Sequence, residues 1–337
     1  MQEQLNLYTH NGLFHADDVF ATAMLSLMAH HIQVTRGGDE EVPSDPENWI
    51  IYDIGGGELD HHSPECKEAN GTHPNTNIPY ASCGLVWRKY YKEILEAEDC
   101  PESYVEKVYT KLETSLILGI DAADNGFDPL ADALTMFPNL SEEQKSSLIN
   151  VSKTSYTISA LIKDFNPSWE SDRDPYEAFM DAVAFAKDIL LNRLDSIMDA
   201  LDGRDYILQH IDYSADHLMI LDQFAPWQGV VTSQSRSNPK AQDLWYVISP
   251  ALRGGWNIQC VLDNPAERTS YRHPLPESWY GLRGEELQSA SGVADARFCH
   301  PSGFLAGADS QEGVMIAMSS VILLRSSAPS KKMACRI

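Results

Sequence analysis

Basic residues are scarce in this sequence: 25 Lys and Arg stand against 49 Asp and Glu, a formal net charge of −24. Such a chain repels nucleic acid on average, which excludes a simple non-specific, charge-driven binder. No CxxC pair occurs among the six cysteines, at 66, 83, 100, 260, 299 and 335. Neither a cysteine zinc knuckle nor a disulfide framework is expected, and the thiols read as reduced core residues. No apolar run approaches the roughly 20 residues that cross a bilayer. MQEQLNLYTH resembles neither a secretory leader nor a transit peptide, so the expectation is a cytoplasmic protein with no membrane partner. Internal repeats and low-complexity segments are absent.

The chain does have enough apolar content, 43% with seven Trp and fourteen Tyr, to bury large cores, and its 337 residues point to two domains. Its charge is uneven. Residues 233–337 carry a net +2 and residues 1–232 a net −26. Arg253, Arg268, Arg272, Arg283 and Arg297 are therefore the cations that an anionic ligand would meet, although an acidic surface also serves solubility alone.

LNLYT (5–9) reads as a strand and VFATAMLSLMAHH (19–31) as a buried helix, with Asp17 and Asp18 at its start and His30 and His31 as a helix-end pair. IQVTR (32–36) and WIIYDI (49–54) read as strands, the second apolar enough to be central in a parallel sheet. Helices are predicted over 80–98 and 102–120, the latter running into DAADNGFD, and another after the capping signature SEEQ (141–144). A long amphipathic helix over 174–203 ends at Gly203. Strands follow at 217–224, 244–251 and 256–263, the last two as a hairpin across LRGG, then a helical or turn segment over 276–292 and a helix from 311 to 324. This order predicts an α/β protein: a doubly wound, mostly parallel N-terminal sheet with its bridging helix (1–203), a smaller mixed α/β C-terminal substrate domain (204–325) and a frayed tail (326–337).

Ligands of such sheets bind at the carboxyl ends of strands, where THNGLFHADD (9–18) and IIYDIGGGELDHH (50–62) fall. His10, His15, Asp17, Asp18, Asp53, Asp60, His61, His62, Asp121 and Asp124 all sit at predicted element ends. Carboxylates this crowded repel one another, and no Lys or Arg lies within the motifs, so bound metal is the economical balance. A His/Asp set without Cys suits Mn²⁺, Mg²⁺, Fe²⁺ or Zn²⁺. The donors are too many for one open ion, and Asp53 is the candidate bridge of a pair that activates water for in-line phosphoryl displacement. Taken singly, Asp18 reads as a helix cap, Asp121 with Asn125 as a turn cap, and His73, His210, His217 and His273 as surface or core residues.

THNGLFHADD, YDIGGGELDHH, GIDAADNG, HPLPESWYGLRGEEL and RFCHPSGFLAGADSQEGVMIAM, with NPSWE and DQFAPWQ, together resemble the MYG family, a relative of the DHH phosphoesterases. The resemblance implies a DHH-like two-domain architecture, Mn²⁺ or Mg²⁺ dependence and 3′ to 5′ RNA exonuclease activity. It places His10, His15 and Asp17 in the first metal motif, where DHH relatives carry Asp at the position of His15. Asp53 matches the second motif, His61 and His62 the DHH histidines, and Asp121 the fourth metal ligand. His61 is expected to bind metal, His62 to face the scissile phosphate and Asp60 to orient His61. HPSGF occupies the place of the family's substrate motif. His300, Ser302 and Gly303 are assigned there to phosphate binding, the alternative being a tight turn, and Asp124 and Asn125 are also assigned to substrate.

The resulting expectation is a phosphoesterase with two Mn²⁺ acting on RNA, Mg²⁺, Fe²⁺ or Zn²⁺ being alternatives and a homo-oligomer allowed. Its rivals are a hydrolase of small phosphorylated metabolites or nucleotides and a non-catalytic metal- or nucleotide-binding module.

Overall fold

Three consecutive buried side chains, Leu7, Tyr8 and Thr9, mark a strand enclosed on both faces. This strand, β1 (Gln2–His10), lies in the middle of a parallel sheet ordered β2-β1-β3. β2 (Ala29–Gly37) pairs along its length, with Leu7 opposite Val34 and His10 opposite Gly37. β3 (Ile50–Ile51) pairs only through Leu7 and Tyr8. The run 49–54, expected to be central, is thus a short edge strand. Asp53 adopts a left-handed backbone (φ 61°), which takes the chain out of extended geometry.

Parallel pairing requires a crossover, here α1 (Ala16–Leu25), which is buried at every position. It stops short of the expected residue 31 because Ala29 must already pair with Gln2. His30 and His31 are exposed residues of β2, not a helix-end pair. α2 (Pro64–Asn70) precedes α3 (Ser82–Ala97), which packs along α1. α4 (Val105–Leu112), a π-helical turn (Glu113–Ile117) and α5 (Leu118–Asp124) follow without a break. Helix therefore extends through DAAD, past its expected end at Ile120.

α6 (Glu142–Ser152) opens with the predicted capping box: the Gln144 N–H donates to Ser141 Oγ at 3.2 Å and the Ser141 N–H to Gln144 Oε1 at 2.9 Å. After α7 (Ile158–Lys163) comes α8 (Pro175–Tyr213), which runs through Gly203 instead of ending there. One helical glycine costs about 1 kcal/mol against alanine. Buried Leu194, Ile197, Leu201, Ile207 and Ile211 along the same helix outweigh it. The chain divides within α8 into two compact units, Met1–Asp199 and Ala200–Ile337. The computed structural model describes residues 2–127, 130, 134, 139–152, 156–264 and 270–326, so Arg268, Cys335 and the tail beyond Ser326 lie outside the described residues.

The second unit holds a mixed sheet ordered β4-β5-β6-β8-β7. Its strands are β4 (Leu218–Ile220), β5 (Tyr246–Pro250), β6 (Trp256–Cys260), β7 (Ala296–Cys299) and β8 (Leu305–Ala308). The β5–β6 hairpin is the predicted one. On one face Ile248, Ile258 and Ala306 pack with Leu287 of α11 (Gly284–Ser291) and Val314 and Met318 of α12 (Gln311–Ser326). On the other, Met219, Val247 and Val261 pack with Ile207 and Ile211 of α8, Val231 of α9 (Trp227–Gln234) and Ala241 of α10 (Pro239–Asp243). The protein is therefore α/β, with one parallel and one mixed sheet. The described cysteines are free thiols, three of them buried.

Candidate metal centre

β1 and β3 run parallel, so their carboxyl ends share one edge. His10 ends β1, and Asp53 lies two residues beyond β3. The two meet, His10 Nε2 standing 3.1 Å from Asp53 Oδ2. α1 starts at this edge, with His15 as its N-cap and the fully buried Asp17 and Asp18 in its first turn. Asp18 Oδ1 accepts the His15 N–H at 2.9 Å, the expected capping bond. Its second oxygen lies 3.3 Å from His10 Nε2, so Asp18 belongs to the cluster as well as to the cap.

Gly55 and Gly56, both at positive φ, turn the chain back so that the Asp53 N–H donates to the Leu59 carbonyl at 3.0 Å. That loop delivers His61. Its Nε2 lies 3.3 Å from Asp17 Oδ2, 3.1 Å from Asp53 Oδ1 and 3.2 Å from Asp124 Oδ2. Asp124, at the end of α5, also stands 3.9 Å from His15 Nδ1.

One imidazole N–H cannot serve three carboxylates. Indeed both His61 nitrogens, both Asp17 oxygens and Asp18 Oδ2 are buried without a hydrogen-bond partner. Buried polar atoms left in this way cost about 1–3 kcal/mol each, more if charged. Burial and the charge of Asp53 raise the pKa of Asp17; burial and the charges of Asp17 and Asp53 raise that of Asp18 well above the usual range. Burial, with the Asp17 charge, pushes Asp124 up to about 7. Burial disfavours charge on the imidazoles too, but the facing carboxylates outweigh it and hold His10 at about 9 and His61 at about 10. Burial likewise opposes charge on Asp53, yet His10 and His61 outweigh it and bring its pKa well below the carboxylate range.

Without another cation, protons must supply the positive charge here. Divalent ions would supply it with better geometry, and the donors fall into sets suited to them: His10, Asp18 and Asp53; Asp53, His61 and His62; His15, Asp17 and Asp124. Two of these sets share Asp53. The Ser82 hydroxyl lies 2.9 Å from Asp53 Oδ1 and holds that carboxylate in place.

Several expected placements differ. Asp121 does not reach the cluster: its Oδ2 pairs with His73 Nε2 at 2.8 Å and its Oδ1 accepts the Gly84 N–H at 3.1 Å. A side chain at Gly84 would collide with that carboxylate. His73 in turn meets Glu113 Oε1 at 3.1 Å, which makes a buried carboxylate–imidazole–carboxylate triad separate from the cluster. Asp124 stands where Asp121 was expected. The Asn125 amide nitrogen donates to the carbonyls of Pro79 and Asp121 and so closes a loop, while its Oδ1 is buried without a hydrogen-bond partner. Asp60 orients His62, not His61: its Oδ1 lies 2.8 Å from His62 Nδ1 and its Oδ2 accepts the Gly56 N–H. His62 is 60% exposed.

In the second unit HPSGF forms a tight turn. The Ser302 N–H donates to His300 Nδ1 at 3.1 Å and the Gly303 N–H to the His300 carbonyl at 2.8 Å, so neither is free for an anion. Gly303 has φ 63°, and a side chain there would enter the Tyr280 ring.

Sequence reasoning missed two cations. The Arg36 guanidinium, at the end of β2, lies 4.4 Å from the Phe179 ring centroid, and its charge bears on Asp18. Lys163 lines a cleft of about 210 Å³ with Ser159, His15 and Asp124. Neither lies within a motif, and no local signal marks them.

A family model described as Uncharacterised protein family (UPF0160), with MYG1 exonuclease as its short name, matches residues 6–322. The MYG1 protein of Schizosaccharomyces pombe is 27% identical over 335 residues, covering 94% of this chain and 96% of its own. That of Dictyostelium discoideum is 28% identical over 336 residues, 93% and 94% of the two chains. The MYG1 exonuclease of Homo sapiens is 27% identical over 344 residues, 95% and 86%. No solved structure matches.

Proposed function

Because the chain belongs to the MYG1 exonuclease family, UPF0160, we propose that it is a metal-dependent phosphoesterase, a 3′ to 5′ exonuclease on RNA, with the His/Asp cluster as its metal centre. The observation that carries this reading is His61 Nε2 facing three carboxylates, with the buried atoms around it unpartnered. His10 and Asp18 with one oxygen of Asp53, and His61, Asp17 and Asp124 with the other, would hold two ions, taken to be Mn²⁺. When bound, such ions polarise a phosphoryl oxygen and lower the pKa of an attacking water.

The chain's own groups complete the chemistry. Asp60 holds His62 through Nδ1 and raises its pKa, which favours the charged imidazole, with Nε2 as the atom that protonates a leaving oxygen. Lys163 brings an ammonium to the cleft beside His15 and Asp124, where it offsets phosphate charge. The test uses 5′-labelled RNA oligonucleotides and protein stripped with EDTA. Stripping should abolish shortening and Mn²⁺ should restore it, while Asp53→Asn lowers kcat/KM by about a thousandfold or more. Full activity of Asp53→Asn or of stripped protein would refute the proposal.

A second reading is favoured by the modest cleft volume of about 210 Å³ and by the −26 charge of residues 1–232, both of which suit a short substrate. Turnover confined to mononucleotide and dinucleotide esters would select it.

A further inference from the structure

Among the described residues, helices of the second unit pack over only part of its sheet. α11 and α12 close one face, and α8, α9 and α10 close the other at β4 and β5. Among the described residues, the cluster beneath those helices takes in no residue of β6, β8 or β7. There Asn257 sits opposite Gly307, and Gly307 opposite Phe298. A side chain on Gly307 would strike Phe298 and crowd Asn257, so this glycine forms a floor over which those two side chains lean.

Above this floor lies a cleft of about 470 Å³, lined in part by Phe224 and Phe298 and bordered by Arg253, Arg283 and Arg297. Its volume is within the roughly 300–1,000 Å³ of small-molecule and cofactor sites. Arg297 is anchored, donating to the Gly254 carbonyl at 2.7 Å and lying 3.5 Å from Asp309. Arg253 and Arg283 are exposed, and neither guanidinium has a carboxylate or hydrogen-bond partner among the described residues. Phe224 is 54% exposed although it stands at the mouth of a cleft. Planar cations that meet phosphate bidentately, interleaved with aromatic faces on which bases stack, are the elements of single-strand recognition. The three arginines and Phe298 also fall in the part of the chain that escapes the acidic excess.

We propose that this cleft binds a single-stranded polynucleotide, with Arg253 and Arg283 on successive phosphates and a base against Phe298. The proposal rests on the nuclease reading above and assigns a substrate-binding role to residues the metal centre does not use. It is tested by the anisotropy of a fluorescein-labelled RNA decamer titrated with full-length protein in EDTA, where binding is read without turnover. The Arg253→Ala/Arg283→Ala variant should bind at least tenfold more weakly, with a salt slope shallower by roughly one to two. Phe298→Ala should lose about tenfold. Circular dichroism and Tm would establish that the variants fold.

Binding by the double variant within twofold of wild type overturns the proposal, as does AMP competing as tightly as the decamer, which would mark a pocket for free nucleotide. Failure here and failure of the nuclease reading are distinguishable. Arginine-dependent binding by a wild-type protein that cleaves no RNA with Mn²⁺ would keep the cleft and remove the nuclease. Cleavage of RNA with arginine-independent binding would do the reverse.

Discussion

Asp17 keeps two carboxylate oxygens in the interior with no hydrogen bond to either. Removing its charge relieves the metal-free protein and deprives the metal-loaded one. Asp17→Asn should therefore raise the Tm of EDTA-treated protein, by roughly 2–4 °C for each kcal/mol relieved, and abolish the Tm gain on adding Mn²⁺. A variant whose Tm still rises with Mn²⁺ as the wild type's does would remove Asp17 from the donor set. The imidazoles give a pH signature. His10 and His61 hold pKa values of about 9 and 10 against an ordinary 6.5. The folded state thus retains protons that the unfolded chain releases. Their stabilisation is complete below about pH 6.5 and is lost as pH rises through 9 to 10. Thermal scans in EDTA should show Tm falling across that window. Mn²⁺ should oppose the fall, because metal displaces those same protons; a metal-free Tm rising with pH would contradict the account.

α5 shows how one short helix separates two roles. Asp121 and Asp124 are neighbours on its surface, but Asp121 turns to His73 and Gly84 while Asp124 turns to His61. Asp124→Asn should consequently erase the Mn²⁺-induced Tm shift. Asp121→Asn should keep it while lowering basal Tm, since disturbing the buried hydrogen bonds to His73 and the Gly84 N–H costs about 1–3 kcal/mol for each group left unsatisfied. The opposite pattern in a thermal-shift titration would restore Asp121 to the metal centre. This distinction was not legible in sequence. Strand ends place His10 and Asp53, and the helix start places Asp17, because apolar runs and caps are local signals. Whether Asp121 or Asp124 faces the site depends on where the helix ends and on a π-helical turn upstream, and neither has a local signature. His73 was unreadable for the same reason: only the tertiary fold supplies Glu113 and Asp121 to a lone histidine.

At the scale of the whole molecule, the parallel sheet, the crossover helix and the β5–β6 hairpin were readable from periodicity. The centrality of β1 was not, because WIIYDI is as apolar as a central strand yet pairs over two residues only. The charge asymmetry was readable, but the clustering of Arg253, Arg283 and Arg297 around one cleft required the sheet order of the second unit. The spread of the donors along the chain, from His10 to Asp124, also bears on folding kinetics. Their convergence closes loops of many tens of residues, and such contacts come late on the path because chain entropy opposes them first. Metal should then act after the rate-limiting step. In stopped-flow experiments Mn²⁺ is expected to leave the refolding rate of the chain nearly unchanged and to slow unfolding by about the factor 1 + [Mn²⁺]/Kd. On that account a bound ion would be a latch on a finished fold: the protein would assemble its acidic pocket first, and the time for which the pocket persists would be set by the metal it captures.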